Sequence, residues 1–369
     1  MKILRPTWAE INLKNIAHNA DAVKEFIGPR VEILAVVKAD AYGHGLVRVA
    51  SLLEKSHVKM FGVATVEEGI QLRQAGISKS ILILGSIYPF KNFREVINYG
   101  LTPTVASVAG LEALEKYCVR SGKKIPFHLK IDTGMARIGL SPATAADVIP
   151  KIKKLKNVCM EGIYTHLACG DSKNDFTKAQ FREFRDIVAG IRGGYRHIAA
   201  SSSIINYRNS YFNIVRPGLL LYGLLPFKNA DRRIQVRPAL ELKTRVVFIK
   251  CVPKNTSISY GRTFYTGRSS RIATVPIGYA DGLSRHNSNN AQMLVSGRRV
   301  PVVGSVCMDM TMLDVTGVPG VSVGSEVAVI GSQGAERITA EEVASRSGTI
   351  NYEVVTSVSK RVPRIYGDI

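Results

Sequence analysis

The sequence predicts an α/β barrel, an eight-stranded parallel (β/α)8 barrel, followed by a mainly β C-terminal domain. Three observations lead there. Strand-like and helix-like segments alternate about eight times over roughly the first 240 residues, the count and length of such a barrel. After Pro238 the texture changes to short strand-like runs punctuated by Gly and Pro. No Gly-x-Gly-x-x-Gly opens the first helix, which weighs against a doubly wound open sheet, the competing architecture.

Taken in order, Trp8 to Leu13 alternates as a short strand, and 13–26 has the apolar spacing of an amphipathic helix. Candidate barrel strands are 33–37, 61–65, 81–84, 101–105, 127–131, 162–166, 197–201 and 214–222, with helical patterns at 66–73 and 177–184 between them. Beyond the boundary, 240–251, 270–275, 293–295, 299–303, 311–315 and 326–330 read as strands, and 339–346 as a short helix. The barrel is assigned to 12–238. The β domain is assigned to 239–369, joined by 1–11, whose first strand is expected to pair with it.

Composition narrows the function. The 369 residues are 46% hydrophobic, enough for two cores. No run approaches the roughly 20 apolar residues of a membrane span, and Arg5 and Pro6 interrupt any signal-like start, so a cytoplasmic protein is expected. The 5 cysteines are scattered without a Cys-x-x-Cys pair, as in a reducing compartment, and the 7 histidines show no metal-ligand spacing. The formal net charge is +21. The basic residues are nonetheless dispersed; Lys151, Lys153, Lys154 and Lys156 read as a solvated helix end, and no nucleic-acid-binding motif appears. No specific nucleic-acid partner is expected, although polyanions will attract such a chain at low salt.

The aliphatic run 33–37 ends in Lys38. A lysine closing a strand buried on both faces is desolvated, and desolvation favours the neutral, nucleophilic amine. Schiff-base chemistry is the functional reading; a lysine snorkelling from a strand end is the structural one. Other polar groups fall at the same place on later strands: Lys130, Asp132 and Arg137 at the fifth, His166 at the sixth, Ser201, Ser202 and Ser203 at the seventh, Arg216 and Tyr222 at the eighth. In a barrel these positions share one mouth. Singly, each is an ordinary hydrogen-bonding residue. The loops after strands seven and eight, with Ser201 and Gly218-Leu219, suit a phosphate.

The motif words Val37-Lys38-Ala39-Asp40-Ala41-Tyr42-Gly43-His44-Gly45, Lys130-Ile131-Asp132-Thr133-Gly134-Met135-Ala136-Arg137, Arg216-Pro217-Gly218, Ser259-Tyr260-Gly261, Pro276-Ile277-Gly278-Tyr279-Ala280-Asp281-Gly282 and Cys307-Met308-Asp309 occur in order. Together they resemble the alanine racemase family over nearly the whole chain. The resemblance implies a barrel plus β domain, a homodimer with shared active sites, pyridoxal 5'-phosphate as cofactor and alanine as substrate. It implies that Lys38 holds the cofactor as a Schiff base, and that Tyr42, Ser201, Gly218, Leu219 and Tyr352 hold its phosphate. Arg216 would face the pyridine nitrogen, with His166 bonded to it. Arg137 would bind the substrate carboxylate, supported by Lys130, a position carbamylated in some members. Tyr260, Met308 and Asp309 would come from the partner subunit, and Tyr279 would narrow the entrance. Lys38 and Tyr260 would be the two bases of racemisation. One departure is visible: Ala200 stands before Ser201 where the family often has Asn. The rival readings are a serine or broad-specificity racemase, a non-catalytic pyridoxal-phosphate carrier, and a barrel decarboxylase. Arg216 argues against the last, because those enzymes usually set an acidic residue at the ring nitrogen.

Overall fold

The computed structural model describes residues 4–227, 230 and 233–367. Residues 1–3 and 368–369 of the assigned β domain lie outside the described residues. The chain divides into two compact units. One is formed by residues 15–41 and 45–237, the other by the residues up to 14, 42–44 and those from 238 onward.

Strand β1 (Thr7–Asn12) belongs to the second unit; β2 (Glu32–Val36), β3 (Val58–Val63), β4 (Ser80–Ser86), β5 (Thr102–Val105), β6 (Ile125–Lys130), β7 (Val158–Tyr164), β8 (Tyr195–His197) and β9 (Ile214–Val215) build the first. These eight pair in parallel in the order β8-β7-β6-β5-β4-β3-β2-β9. A parallel bridge between Ala200 and Arg216 joins the two ends. The barrel expected from the sequence is therefore the one observed. Its strands are nearly all buried, as helices on the outside and side chains within require. Local chemistry sets the helix starts: Thr65, Ser107, Ser141 and Asn174 each accept a backbone N–H of the following turn.

The strand bounds shift from the sequence reading, as Val158–Tyr164 does from 162–166, and three of the shifts have a clear cause. Segment 61–65 begins earlier, at Val58, and ends at Val63, because Thr65 is a helix cap. Segment 197–201 stops at His197, since Ser201 starts the helix Ser201–Asn206. In segment 214–222 only Ile214 and Val215 are strand; Leu219–Tyr222 is a 3-10 turn. Its four residues are fully buried, so their apolarity records burial rather than extension. Tyr222 donates to the Val36 carbonyl at 3.1 Å and is a structural strut.

In the second unit β10 (Leu240–Arg245), β11 (Phe248–Val252), β12 (Ser257–Ile258), β13 (Phe264–Tyr265), β14 (Ser270–Val275), β15 (Gln292–Val295), β16 (Arg298–Pro301), β17 (Thr311–Asp314), β18 (Glu326–Gln333), β19 (Glu336–Ile338) and β20 (Arg364–Gly367) form three sheets. The largest runs β16-β15-β18-β10-β1-β20. In it β1 pairs antiparallel with β10 and parallel with β20. The run 240–251, read as one strand, is two strands in different sheets, β10 in the largest and β11 in the three-stranded sheet with β14 and β17. Val252, Ile258, Ile272 and Val303 form a small core there, closed by Phe264 and Met312. It anchors the loop that carries Tyr260. No helix among the described residues is long and apolar enough to cross a membrane.

Candidate active site

Lys38 follows the buried β2 and Val37 directly and opens a turn in which Ala39, Asp40, Ala41 and Tyr42 all have φ near 53°. Four consecutive non-glycine residues in the left-handed region are costly, about 1–2 kcal/mol each, and such strain persists only where the surroundings impose it. Here they do. The Ala41 N–H donates to the Val37 carbonyl, and Asp40 accepts from the Leu46 N–H at 2.8 Å. Glu68 accepts from the Ala39 and Ala64 N–H groups at 2.6 and 2.8 Å. Burial lowers the Lys38 amine from its ordinary value, the Arg137 and Arg216 charges lower it further, and the Glu68 carboxylate opposes them.

Arg216 is buried in the barrel. It donates from Nη1 to His197 Nδ1 at 2.8 Å, and from Nη2 to the Thr165 and Ile198 carbonyls and His166 Nδ1 at 2.9, 3.0 and 3.2 Å. A guanidinium only donates, so both imidazoles must accept through Nδ1 and carry their protons on Nε2. Burial, then the Arg216 charge, hold His166 and His197 well below the usual histidine value, and both are neutral near pH 7. The desolvated guanidinium itself is pulled down to about 10 and remains charged at that pH.

Lys130, at the end of β6, is buried with its Nζ 4.7 Å from the centre of the Tyr164 ring and without a hydrogen-bond partner. Burial, Arg216 and Arg137 push its pKa far down. The following loop is organised by Asp132, whose carboxylate accepts from the Gly134, Ala136 and Arg137 N–H groups at 2.9, 3.1 and 3.0 Å. This orients the exposed Arg137. Beyond β8, Ser201 Oγ accepts from the Gly218 N–H at 3.0 Å and the Leu220 N–H at 3.4 Å. The serine hydroxyl and the 218–220 backbone thus lie together at the start of one helix and one 3-10 turn, a cradle suited to an anion. Where the sequence lacks Asn, the Ala200 N–H is satisfied by Ser203 Oγ at 3.2 Å.

The second unit holds the other expected residues. The Tyr42 ring lies 6.2 Å from that of Tyr352. Tyr260, Tyr279, Met308 and Asp309 gather on one exposed edge. Ser305 Oγ donates to the Tyr260 carbonyl, Ser259 Oγ to the Ser305 carbonyl, and the Tyr279 N–H to the Cys307 carbonyl at 3.1 Å. A Cβ at Gly278 would stand 2.2 Å from the Cys307 oxygen, so only glycine lets these two segments meet. The Tyr260 side chain is 72% exposed within one chain. Asp309 pairs with Arg361 Nη2 at 2.6 Å.

The structure therefore brings together two sets: Lys38, Lys130, Arg137, His166, Ser201, Arg216, Gly218 and Leu219 in the barrel, and Tyr42 with Tyr352, and Tyr260 with Tyr279, Met308 and Asp309, in the β unit. Sequence reasoning missed Glu68, His128, Tyr164 and His197. A readable signal existed for His128: it is two residues before Lys130, and alternation puts both on one face of β6.

The barrel residues suit a phosphorylated aldehyde cofactor. They offer an amine whose proton burial makes easier to lose, an anion cradle, and a buried guanidinium whose Nε–H and one Nη1–H have no partner among the described residues. Comparison with known proteins points the same way. Residues 11–226 match the family described as alanine racemase, N-terminal domain, and residues 239–366 match alanine racemase, C-terminal domain. Alanine racemase 2 of Caldanaerobacter subterraneus subsp. tengcongensis is 46% identical over 98% of this chain and 95% of its own length. The alanine racemase of Halothermothrix orenii is 42% identical over 99% and 98%. Among solved structures, alanine racemase of Clostridium difficile 630 aligns with a TM-score of 0.93 at 39% identity, over 99% of this chain and 97% of that one. Alanine racemase from Bartonella henselae with covalently bound pyridoxal phosphate aligns with a TM-score of 0.90 at 29% identity, over 98% and 99%.

Proposed function

We propose residue roles from one premise: this chain belongs to the alanine racemase family, whose members interconvert L-alanine and D-alanine with pyridoxal 5'-phosphate and so supply D-alanine for peptidoglycan. The observation that carries the assignment of roles is the desolvated Lys38 amine, placed among Arg137, Glu68 and Arg216.

When bound, the cofactor supplies an electron sink that acidifies the α-proton of the amino acid attached to it. The protein does the rest. Lys38 would hold the cofactor, and its Nζ would move a proton at the α-carbon on one face. Tyr260 does so through its Oη on the other. Tyr42, Ser201, Gly218, Leu219 and Tyr352 hold the phosphate. Arg216 donates to the pyridine nitrogen without protonating it, because a guanidinium keeps its protons near neutral pH. By leaving that nitrogen unprotonated, Arg216 would weaken the sink and so restrain side reactions. Its partner His166, neutral, keeps Arg216 in place. Arg137 takes the substrate carboxylate, with Met308, Asp309 and Tyr279 lining the way in. Lys130 has an unpartnered amine that burial pushes toward the neutral form carbamylation needs, and the carbamate would give Arg137 an anionic neighbour. A carbamate signal in the 13C spectrum after equilibration with 13C-labelled CO2 is expected; its absence rejects that role.

The exposed edge that bears Tyr260 supports a homodimer in which each chain lends the second base to the other. Purified protein should form D-alanine from L-alanine, with turnover of serine, run in parallel, much lower. Lys38→Ala and Tyr260→Phe variants should each be nearly inactive alone. Unfolded together and refolded, they should recover about a quarter of wild-type activity, because half the dimers are mixed and each has one complete site. No recovery on mixing would place both bases in one chain.

A further inference from the structure

Beneath Arg216 the barrel interior contains a line of polar groups that the proposed chemistry does not use. His197 Nε2 lies 2.8 Å from His128 Nδ1, and both rings are fully buried. His128 Nε2 lies 3.5 Å from Glu161 Oε2; both atoms are buried and have no other partner. Buried polar atoms seldom go unpaired, so two orphans facing one another identify a contact.

The sense of this line is forced. Arg216 can only donate, so His197 receives at Nδ1 and keeps its proton on Nε2. That proton must go to His128 Nδ1, so His128 in turn carries its own on Nε2. The last N–H then needs an acceptor, and Glu161 is there. Reversing either ring would set two N–H groups against each other.

The fold makes room for this arrangement at some cost to its regularity. Phe127 pairs with Met160 and His128 with Gly162, so β7 has one residue more than β6 between these pairs. The extra residue is Glu161. A bulge of this kind re-aims a side chain that strict alternation would send to the other face. The next residue, Gly162, admits the His128 ring: a Cβ there would sit 2.6 Å from it. Tyr164 stacks on His197, with centroids 4.5 Å apart at 8°, and Tyr195 stacks on His128 at 6.1 Å. The charged groups around the line are Lys130 and Arg216 at its upper end and Glu161 at its lower end.

We propose that Glu161, His128 and His197 are positioning residues for Arg216: a one-way hydrogen-bond line, terminated by a bulged carboxylate, fixes the guanidinium so that its remaining donors are held for the ring nitrogen. This rests on the reading that Arg216 meets that nitrogen, and extends it by three residues. None of the three touches substrate or cofactor. Tautomers set through such a chain hold the donor polarity of the group above.

The test uses the holoenzyme labelled with 15N-histidine, the two rings being assigned by their loss in His128→Asn and His197→Asn. Both imidazoles should be neutral at pH 7 with the proton on Nε2. Glu161→Leu should scramble the His128 tautomer and lower kcat about tenfold in both directions while leaving KM for L-alanine within about twofold, as expected when a buried chain loses its last acceptor. Glu161→Gln, which keeps an acceptor oxygen, should restore both signals. A proton on His197 Nδ1, an imidazolium at either position, or a Glu161→Leu enzyme unchanged in tautomer and kcat would overturn the proposal. Should Glu161→Leu fail to fold, the wild-type spectrum still decides. The spectrum does not depend on turnover, so wild-type protein without racemase activity would reject the proposed function separately.

Discussion

The barrel interior and the exposed edge of the β unit carry the two proposed bases in opposite ways. Lys38 is half-buried beside an enclosed polar interior: Lys130, His197, His128 and Arg216 are buried, and burial is the first cause of every shift in their acidity. Tyr260, Tyr279 and Met308 are 72%, 45% and 52% exposed, on loops tied to one another by hydrogen bonds to backbone carbonyls beside a small core. The first region is covered by its own chain. The second is an exposed surface that, under the proposed homodimer, another subunit would cover. A tyrosine, with an ordinary pKa of about 10, needs nearby positive charge to act as a base. A second subunit that covers it can supply both that charge and the exclusion of water.

The sharpest way to break this contrast is Lys38→Ala. It should lower racemisation by about 10⁴-fold or more and abolish the absorbance of the Schiff base, since binding and one proton transfer are both lost. A retained Schiff-base band would move the attachment point to another lysine. Tyr260→Phe should lower racemisation by about 10²- to 10⁴-fold. It should do so asymmetrically, with exchange of the α-proton nearly abolished for one enantiomer and spared for the other; equal, mild losses would refute two bases. The smallest effect concerns pH. His128, His166 and His197 are held below their unfolded value of about 6.5. Below that pH the unfolded chain binds protons that the folded one refuses, so stability must fall as pH falls, by up to about 1.4 kcal/mol per pH unit for each histidine. Denaturant unfolding between pH 7 and 5 should show this loss, and His128→Asn or His197→Asn should flatten the slope. An equal slope in those variants would place the acid sensitivity elsewhere.

Much of the barrel was legible because its signal is local. Buried strands, helix caps such as Thr65 and Ser141, and polar residues at strand ends are all written in short segments. The apolar run after Pro217 was misleading for the same reason: complete burial looks alike in a strand and in a 3-10 turn. The run 240–251 shows a different limit. Nothing in its composition marks the point between β10 and β11 where the chain leaves one sheet for another. Glu68 and Glu161 were passed over because acidic residues in a helix turn and in mid-strand are usually solvated. Their roles depend on which backbone or ring happens to stand opposite.

Residue identity and spacing alone determined the eight-fold alternation, the change of texture near Pro238, and which side chains could condense with an aldehyde or cradle a phosphate. Those properties follow from hydrophobic period and functional-group chemistry, both of which act within a few residues. Tertiary structure alone decided that a left-handed turn presents Lys38, that a bulge turns Glu161 toward His128, and that Tyr42 packs with Tyr352 in the β unit. These depend on desolvation and on contacts between residues far apart in the chain, which no short stretch of sequence can encode.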